Sequence, residues 1–117
     1  MEPVEKHVEG SLLLATYGAL LTDAQRELME LYYNEDLSLH EIAEAQGISR
    51  QGVHDMVTRA LKKLEGYEAR LGLLKQSARR TEELARCLSL ARSLPEDRSR
   101  DELISALQGM IIEEEQP

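Results

Sequence analysis

Four polar side chains, Arg50, Gln51, His54 and Thr58, lie close together in the 117-residue chain, and Arg59, Lys62 and Lys63 follow at once. These residue types suit nucleic acid. A guanidinium matches the two acceptors of guanine, a carboxamide matches the donor and acceptor of adenine, and cations further along a helix meet phosphates. If residues 49–65 form a helix in a major groove, side chains of its first turns reach base edges and later ones reach the backbone. Arg50, Gln51, His54 and Thr58 are therefore the candidate base readers, and Arg59, Lys62 and Lys63 the candidate phosphate contacts. Asp55 opposes this, because a carboxylate among the readers repels phosphate. It can accept from cytosine N4, but the plainer expectation is a solvent-facing residue paired with Arg59, four places on. His54 is expected to be a surface polar residue rather than a switch.

Catalytic chemistry finds no such constellation. His7, His40 and His54 share no metal-ligand spacing with one another or with Cys87. No glycine-rich phosphate loop occurs. Cys87 stands in an Ala- and Leu-rich stretch, where a small buried hydrophobe is expected rather than a nucleophile. The carboxylates are expected on helix surfaces. The chain is therefore expected to be a non-enzyme with no metal and no cofactor.

What has to position the readers is a helix-turn-helix, about residues 38–65. With Leu39 as the first residue of a twenty-residue unit, Ala43, Gly47 and Val53 fall at the fifth, ninth and fifteenth places. Ala43 lets two steeply crossing helices approach. Gly47 takes positive φ where the chain must reverse, and Ser49 caps the second helix. Ile42, Ile48 and Val53 are expected to close a small core between the two helices. Ser38 with Glu41 has capping-box spacing and opens the first of them.

The remaining elements are also read as helices, since 3 prolines, 7 glycines and no strand-length alternation leave an all-α chain. A first helix is expected from about Val4 to Tyr17, with Val8, Leu12, Ala15 and Leu13 inward, ended by Gly18. Thr22 caps a second helix, with Leu28, Met29, Leu31 and Tyr32 on its apolar side, ending near Asn34. Tyr32 and Tyr67 are expected in the core. Val53, Val57, Ala60 and Leu64 form the inward face of the fourth helix, and Gly72 is its stop or a kink. A long helix from about Leu74 to Ser93 puts Ala78, Leu84, Leu88 and Ala91 on one side before Pro95. Ser99 with Glu102 opens a last helix bearing Leu103, Leu107 and Ile111, which Gly109 and the acidic end should fray. Residues 1–74 are thus expected to hold the motif, and residues 75–117 a C-terminal helical extension whose Glu113–Pro117 end is a solvated acidic tail. The stripe on the long helix either folds back on the first helix or forms a homodimer through the C-terminal helices.

Bulk charge argues against a polyanion partner: 14 Lys and Arg stand against 22 Asp and Glu, net -8. Its distribution changes that. Residues 1–48 carry net -8, residues 49–81 net +5 and residues 82–117 net -5. At physiological salt fields fade within roughly 8 Å, so the basic middle can attract a polyanion locally, or pair with the acidic ends in cis or in a dimer. The 42% apolar content excludes a chain disordered by composition. No apolar run reaches the roughly 18 residues of a spanning segment, so no membrane association is expected. The acidic start lacks a signal peptide's basic and apolar regions, and one cysteine suits a reducing cytoplasm, which is the expected location.

The stretch LTDAQRELMELYYNEDLSLHEIAEAQGISRQGVHDMVTRALKKL (Leu21–Leu64) resembles sigma-70 region 4 domains. Extended to YGALLTDAQRELMELYYNEDLSLHEIAEAQGISRQGVHDMV (Tyr17–Val57) and LEGYEARLGLL (Leu64–Leu74), it looks closer still to the YlxM family, helix-turn-helix regulatory proteins encoded in bacteria beside signal recognition particle genes. The resemblance covers about residues 10–76. It implies a region-4-like helix-turn-helix of the winged-helix superfamily, without a wing, and a link to the signal recognition particle pathway. Two functions follow as expectations. One is a regulatory protein that binds DNA. The other is an adaptor that binds signal recognition particle RNA or protein and keeps the motif as scaffold. Docking of Arg59, Lys62, Lys63, Arg70, Lys75, Arg79 and Arg80 on folded RNA, or on an acidic protein, stays open.

Overall fold

Hydrogen bonds that side chains accept from free amides set four of the described helix starts. The computed structural model describes residues 4–116, and its described elements are six α-helices and one short 3₁₀ turn, with no strand among the described residues. They are α1 (Val4–Tyr17), α2 (Asp23–Tyr33), α3 (Leu39–Gln46), α4 (Arg50–Leu71), α5 (Leu73–Arg92) and α6 (Arg98–Glu115), with the 3₁₀ turn Gly18–Leu20 after α1. Thr22 and Ser38 cap α2 and α3 through reciprocal bonds with Gln25 and Glu41, and Ser49 caps α4 by accepting from the Gly52 amide. Each cap satisfies donors that the helix itself leaves open. Gly47 and Gly72 end α3 and α4 at φ 68° and 63°, the left-handed region that a Cβ disfavours.

The chain divides into two units, Met1–Gly72 and Leu73–Pro117. In the first, α1, α2 and α3 all pack on α4 or on one another around Leu13, Leu14, Tyr17, Leu28, Met29, Tyr33, Ile42, Val53, Val57, Ala60 and Leu64. Met29, Ile42, Val53, Ala60 and Leu64 are fully inaccessible. The expected inward faces of α2 and α4 hold in outline.

The face of α1 holds only at Leu13. Val8 and Leu12 are 51% and 52% exposed, Ala15 is exposed too, and Gly10, Leu13, Leu14 and Tyr17 are the buried set. The reason is Gly10. Its missing side chain leaves room for the Tyr33 ring, which a Cβ there would strike. Glycine carries no apolar signal, so the 10, 13, 14, 17 spacing is invisible to a hydropathy count. The same packing puts Tyr17 and Tyr33 in the core, at 1% and 4% exposure, and leaves Tyr32 and Tyr67 half-buried. Ile48, expected between the motif helices, is 40% exposed, so Ile42 and Val53 close that core with Ala43.

In the second unit α5 and α6 run antiparallel. Arg80 bonds Glu114 at one end, and Arg100 donates to the Arg92 carbonyl at the other. The partner of α5 in this unit is therefore α6, which neither expectation for its stripe included. Among the described residues of this unit only Ala91 and Leu107 are buried, while Leu84, Leu88 and Ile111 are half-buried and Ala78 and Leu103 are exposed. Cys87 is exposed, contrary to the buried position expected, because it faces the open side of the α5–α6 groove with Leu84 and Met110. Asp97, not Ser99, caps α6 by accepting from the Arg100 amide. The acid two residues earlier takes the Arg100 amide, so the helix starts sooner. The acidic end is also no tail within the described residues: α6 runs through Gly109 to Glu115, and Glu114 is tied to Arg80 at 2.9 Å. The last expected tail residue, Pro117, lies outside the described residues.

Candidate nucleic-acid interface

α4 is the longest helix, and its two halves do different work. Its C-terminal half is anchored to α1 and the turn after it. The Tyr17 hydroxyl donates to Glu68 at 2.6 Å, the Tyr17 and Tyr67 rings lie 6.0 Å apart, and the Tyr67 hydroxyl reaches the Leu20 carbonyl at 3.5 Å. The N-terminal half packs only Val53, Val57 and Ala60 inward, and α3 crosses it through Ile42 and Ala43. Ile48 donates its amide to the Ala43 carbonyl, closing the three-residue link of residues 47–49. Helix, link and helix thus present the opposite side of α4 to solvent.

On that side the geometry sorts the seven candidate residues, all of them exposed. At about 3.6 residues per turn, Gln51, Asp55, Thr58 and Lys62 share one line within roughly 60° of arc, about 17 Å long. Arg59 lies beside this stripe. Arg50 opens the helix next to its cap. His54 lies to one side and is 57% exposed. Lys63 turns away and reaches Gln25 Oε1 on α2 at 3.5 Å. The structure therefore brings Gln51, Thr58, Arg59 and Lys62 together, keeps Arg50 and His54 at the edge, and sets Lys63 apart.

Asp55 stands in the middle of the stripe. The expected pair with Arg59 is absent: the Asp55 carboxylate instead accepts from Gln51 Nε2 at 3.0 Å, with His54 Nδ1 at 3.6 Å. Both Gln51 and Arg59 are one turn from Asp55, and the shorter amide pairs with less side-chain ordering. The spacing was legible in the sequence, but the choice between two partners at equal separation was not.

Electrostatics at the start of α4 favour an anion. The positive end of a helix is usually offset by an acid in the first turn, as Asp23, Glu41 and Asp101 do for α2, α3 and α6. α4 has none, and Arg50 occupies its first position. In α3 the Ser38 amide and hydroxyl bond Glu41 and hold its carboxyl below the ordinary 4.5, so that acid is committed to its cap.

No group of three His, Cys, Asp or Glu among the described residues could hold a metal ion, and no described helix is long and apolar enough to cross a membrane.

Comparison with known proteins agrees with the helical motif. Residues 4–105 match the model of the UPF0122 family, described as "Putative helix-turn-helix protein, YlxM / p13 like". A UPF0122 protein of Clostridium botulinum is 49% identical over 77 residues, covering 66% of this chain and 71% of its own. One from Caldanaerobacter subterraneus is 49% identical over 81 residues, covering 67% and 69%. One from Clostridium perfringens is 44% identical over 97 residues, covering 80% and 87%.

Proposed function

Because the chain belongs to the UPF0122 family of YlxM/p13-like proteins, we propose that it is a non-enzymatic regulatory protein that docks α4 in the major groove of duplex DNA. The observation that carries this is the outward stripe of α4, which includes Lys62, is held away from the core by a capped helix-turn-helix and is bordered by exposed Arg50 and Arg59. In this reading the motif works as a region-4-like module, without a wing. Gln51 and Thr58 face base edges, Arg50 meets a guanine or a phosphate near the helix start, and Arg59 and Lys62 meet phosphates. Lys63 contributes from the flank. The net charge of -8 makes such binding weak and strongly dependent on salt.

The test is an electrophoretic shift with genomic DNA fragments and, separately, with signal recognition particle RNA, at two salt concentrations. Retarded DNA whose affinity falls steeply with salt is the expected result. Arg50→Ala weakens selected sequences preferentially, whereas Lys62→Ala weakens all sequences alike and lowers the salt slope by about 1. No shift of DNA at low salt refutes the proposal.

Asp55 in the centre of the stripe favours a second reading, an adaptor that retains the motif as scaffold and binds a signal recognition particle component through the basic residues. A shift with the RNA and none with DNA distinguishes it. The second unit also leaves Leu90, Leu94, Leu103 and Met110 at 44–61% exposure, which supports a homodimer through the C-terminal helices. Sedimentation of the full chain tests this directly: a monomer at tens of micromolar rejects it.

A further inference from the structure

We propose that Asp55 is a specificity-determining residue that holds the Gln51 carboxamide in the one orientation that selects adenine over guanine; this rests on the DNA-binding reading of α4. A carboxylate only accepts hydrogen bonds, so the side of the Gln51 amide that faces Asp55 at 3.0 Å must be its NH₂ group. One of the two Nε2 hydrogens is then spent on Asp55. What remains for a base is the Oε1 acceptor and a single N–H donor. Adenine presents the complement in the major groove, the N6 donor and the N7 acceptor. Guanine presents two acceptors, O6 and N7, and needs two donors, which Gln51 held in this way cannot supply. The carboxylate adds to the rejection, because it lies one helical turn from Gln51 on the same outward line and repels guanine's acceptors. Without that partner both Nε2 hydrogens are free for a base, and the amide can meet either purine.

The side chain also places a negative charge between Gln51 and Lys62, facing the same surface as the phosphate contacts. Asp55 therefore trades affinity for discrimination, and its removal should move the two in opposite directions. A residue that merely lowers affinity by repulsion changes every sequence alike. A residue needed for the fold lowers affinity and discrimination together.

The experiment uses the full chain and fluorescently labelled duplexes selected by the wild-type protein from a randomised library. Each adenine of the selected site is then replaced by guanine in turn. Wild type should show one position where the replacement weakens binding roughly tenfold, and Gln51→Ala should abolish that preference. Asp55→Ala should bind all duplexes more tightly while losing the preference at that same position. Asp55→Asn keeps an acceptor for Gln51 and removes the charge, so it should bind more tightly and retain the preference. Asp55 is 53% exposed, and far-UV circular dichroism will check that each variant keeps its helices. An Asp55→Ala protein with the wild-type adenine preference overturns the proposal while leaving DNA binding intact. So does a wild-type protein with no adenine preference that Gln51→Ala removes. A wild-type protein that binds no duplex at low salt overturns the DNA reading itself.

Discussion

Gly10→Ala should destabilise the first unit, although alanine is the better helix former. Within a helix the exchange alone is worth about 0.5–1 kcal/mol in favour of alanine. Against this stands the Tyr33 ring, whose outer atoms occupy the space a Cβ would take. That ring is 4% exposed, with its centroid 4.9 Å from the His7 ring and 4.8 Å from Tyr32, so it has no free direction in which to yield. Forcing a methyl into such packing costs about 1–3 kcal/mol. The net loss is therefore about 0–2.5 kcal/mol. Gly66 is the control. It also sits inside a helix, yet a Cβ there meets nothing within 4 Å, so Gly66→Ala should gain about 0.5–1 kcal/mol. All four tyrosines fall in the first unit and the chain has no tryptophan, so urea unfolding followed by tyrosine fluorescence reports on that unit alone. With a slope of about 1 kcal/mol per molar urea, the midpoint should fall by up to about 2.5 M for Gly10→Ala and rise by less than about 1 M for Gly66→Ala. A Gly10→Ala midpoint that rises as the Gly66→Ala midpoint does would refute the assigned face of α1.

Gly47→Ala places a Cβ at φ 68°, and should cost about 1–2 kcal/mol in the same urea assay even though the space around it is open. Ser49→Ala removes the acceptor for the Gly52 amide and should cost about 1 kcal/mol while fraying the first turn of α4, visible as faster amide exchange there. The Glu114 carboxyl is held below its ordinary 4.5 by hydrogen bonds from Arg80 and then Ser77. A depressed folded value means the carboxylate stabilises the second unit above about pH 4.5 and loses that contribution as pH falls through the folded value. Glu114→Gln should therefore lower helicity on heating at pH 7 and make little difference near pH 3. Cys87 is exposed, so a thiol reagent should label it in the native protein nearly as fast as in urea.

Local chemistry was legible in the residues. The caps at Thr22, Ser38 and Ser49 and the stops at Gly47 and Gly72 depend on hydrogen bonds and φ angles within four residues, and each one holds in the structure. Where two local partners competed, spacing alone did not decide: Asp97 took the α6 start ahead of Ser99, and Gln51 took Asp55 ahead of Arg59. The seven candidate contact residues were legible as a helix surface, but their division into a stripe, an edge and a flank required the position of α4 against α2 and α3.

By itself, then, the sequence determined an all-helical chain, the places where its helices begin and turn, and the concentration of positive charge in residues 49–81. Tertiary structure alone decided how each helix is rotated about its axis. That rotation is set by which side chain leaves room for another, as Gly10 does for Tyr33, and by bonds between residues far apart in the chain, as between Tyr17 and Glu68 or Arg80 and Glu114. Hydropathy counts register what a side chain buries. They carry no trace of a space left empty for a partner more than twenty residues away.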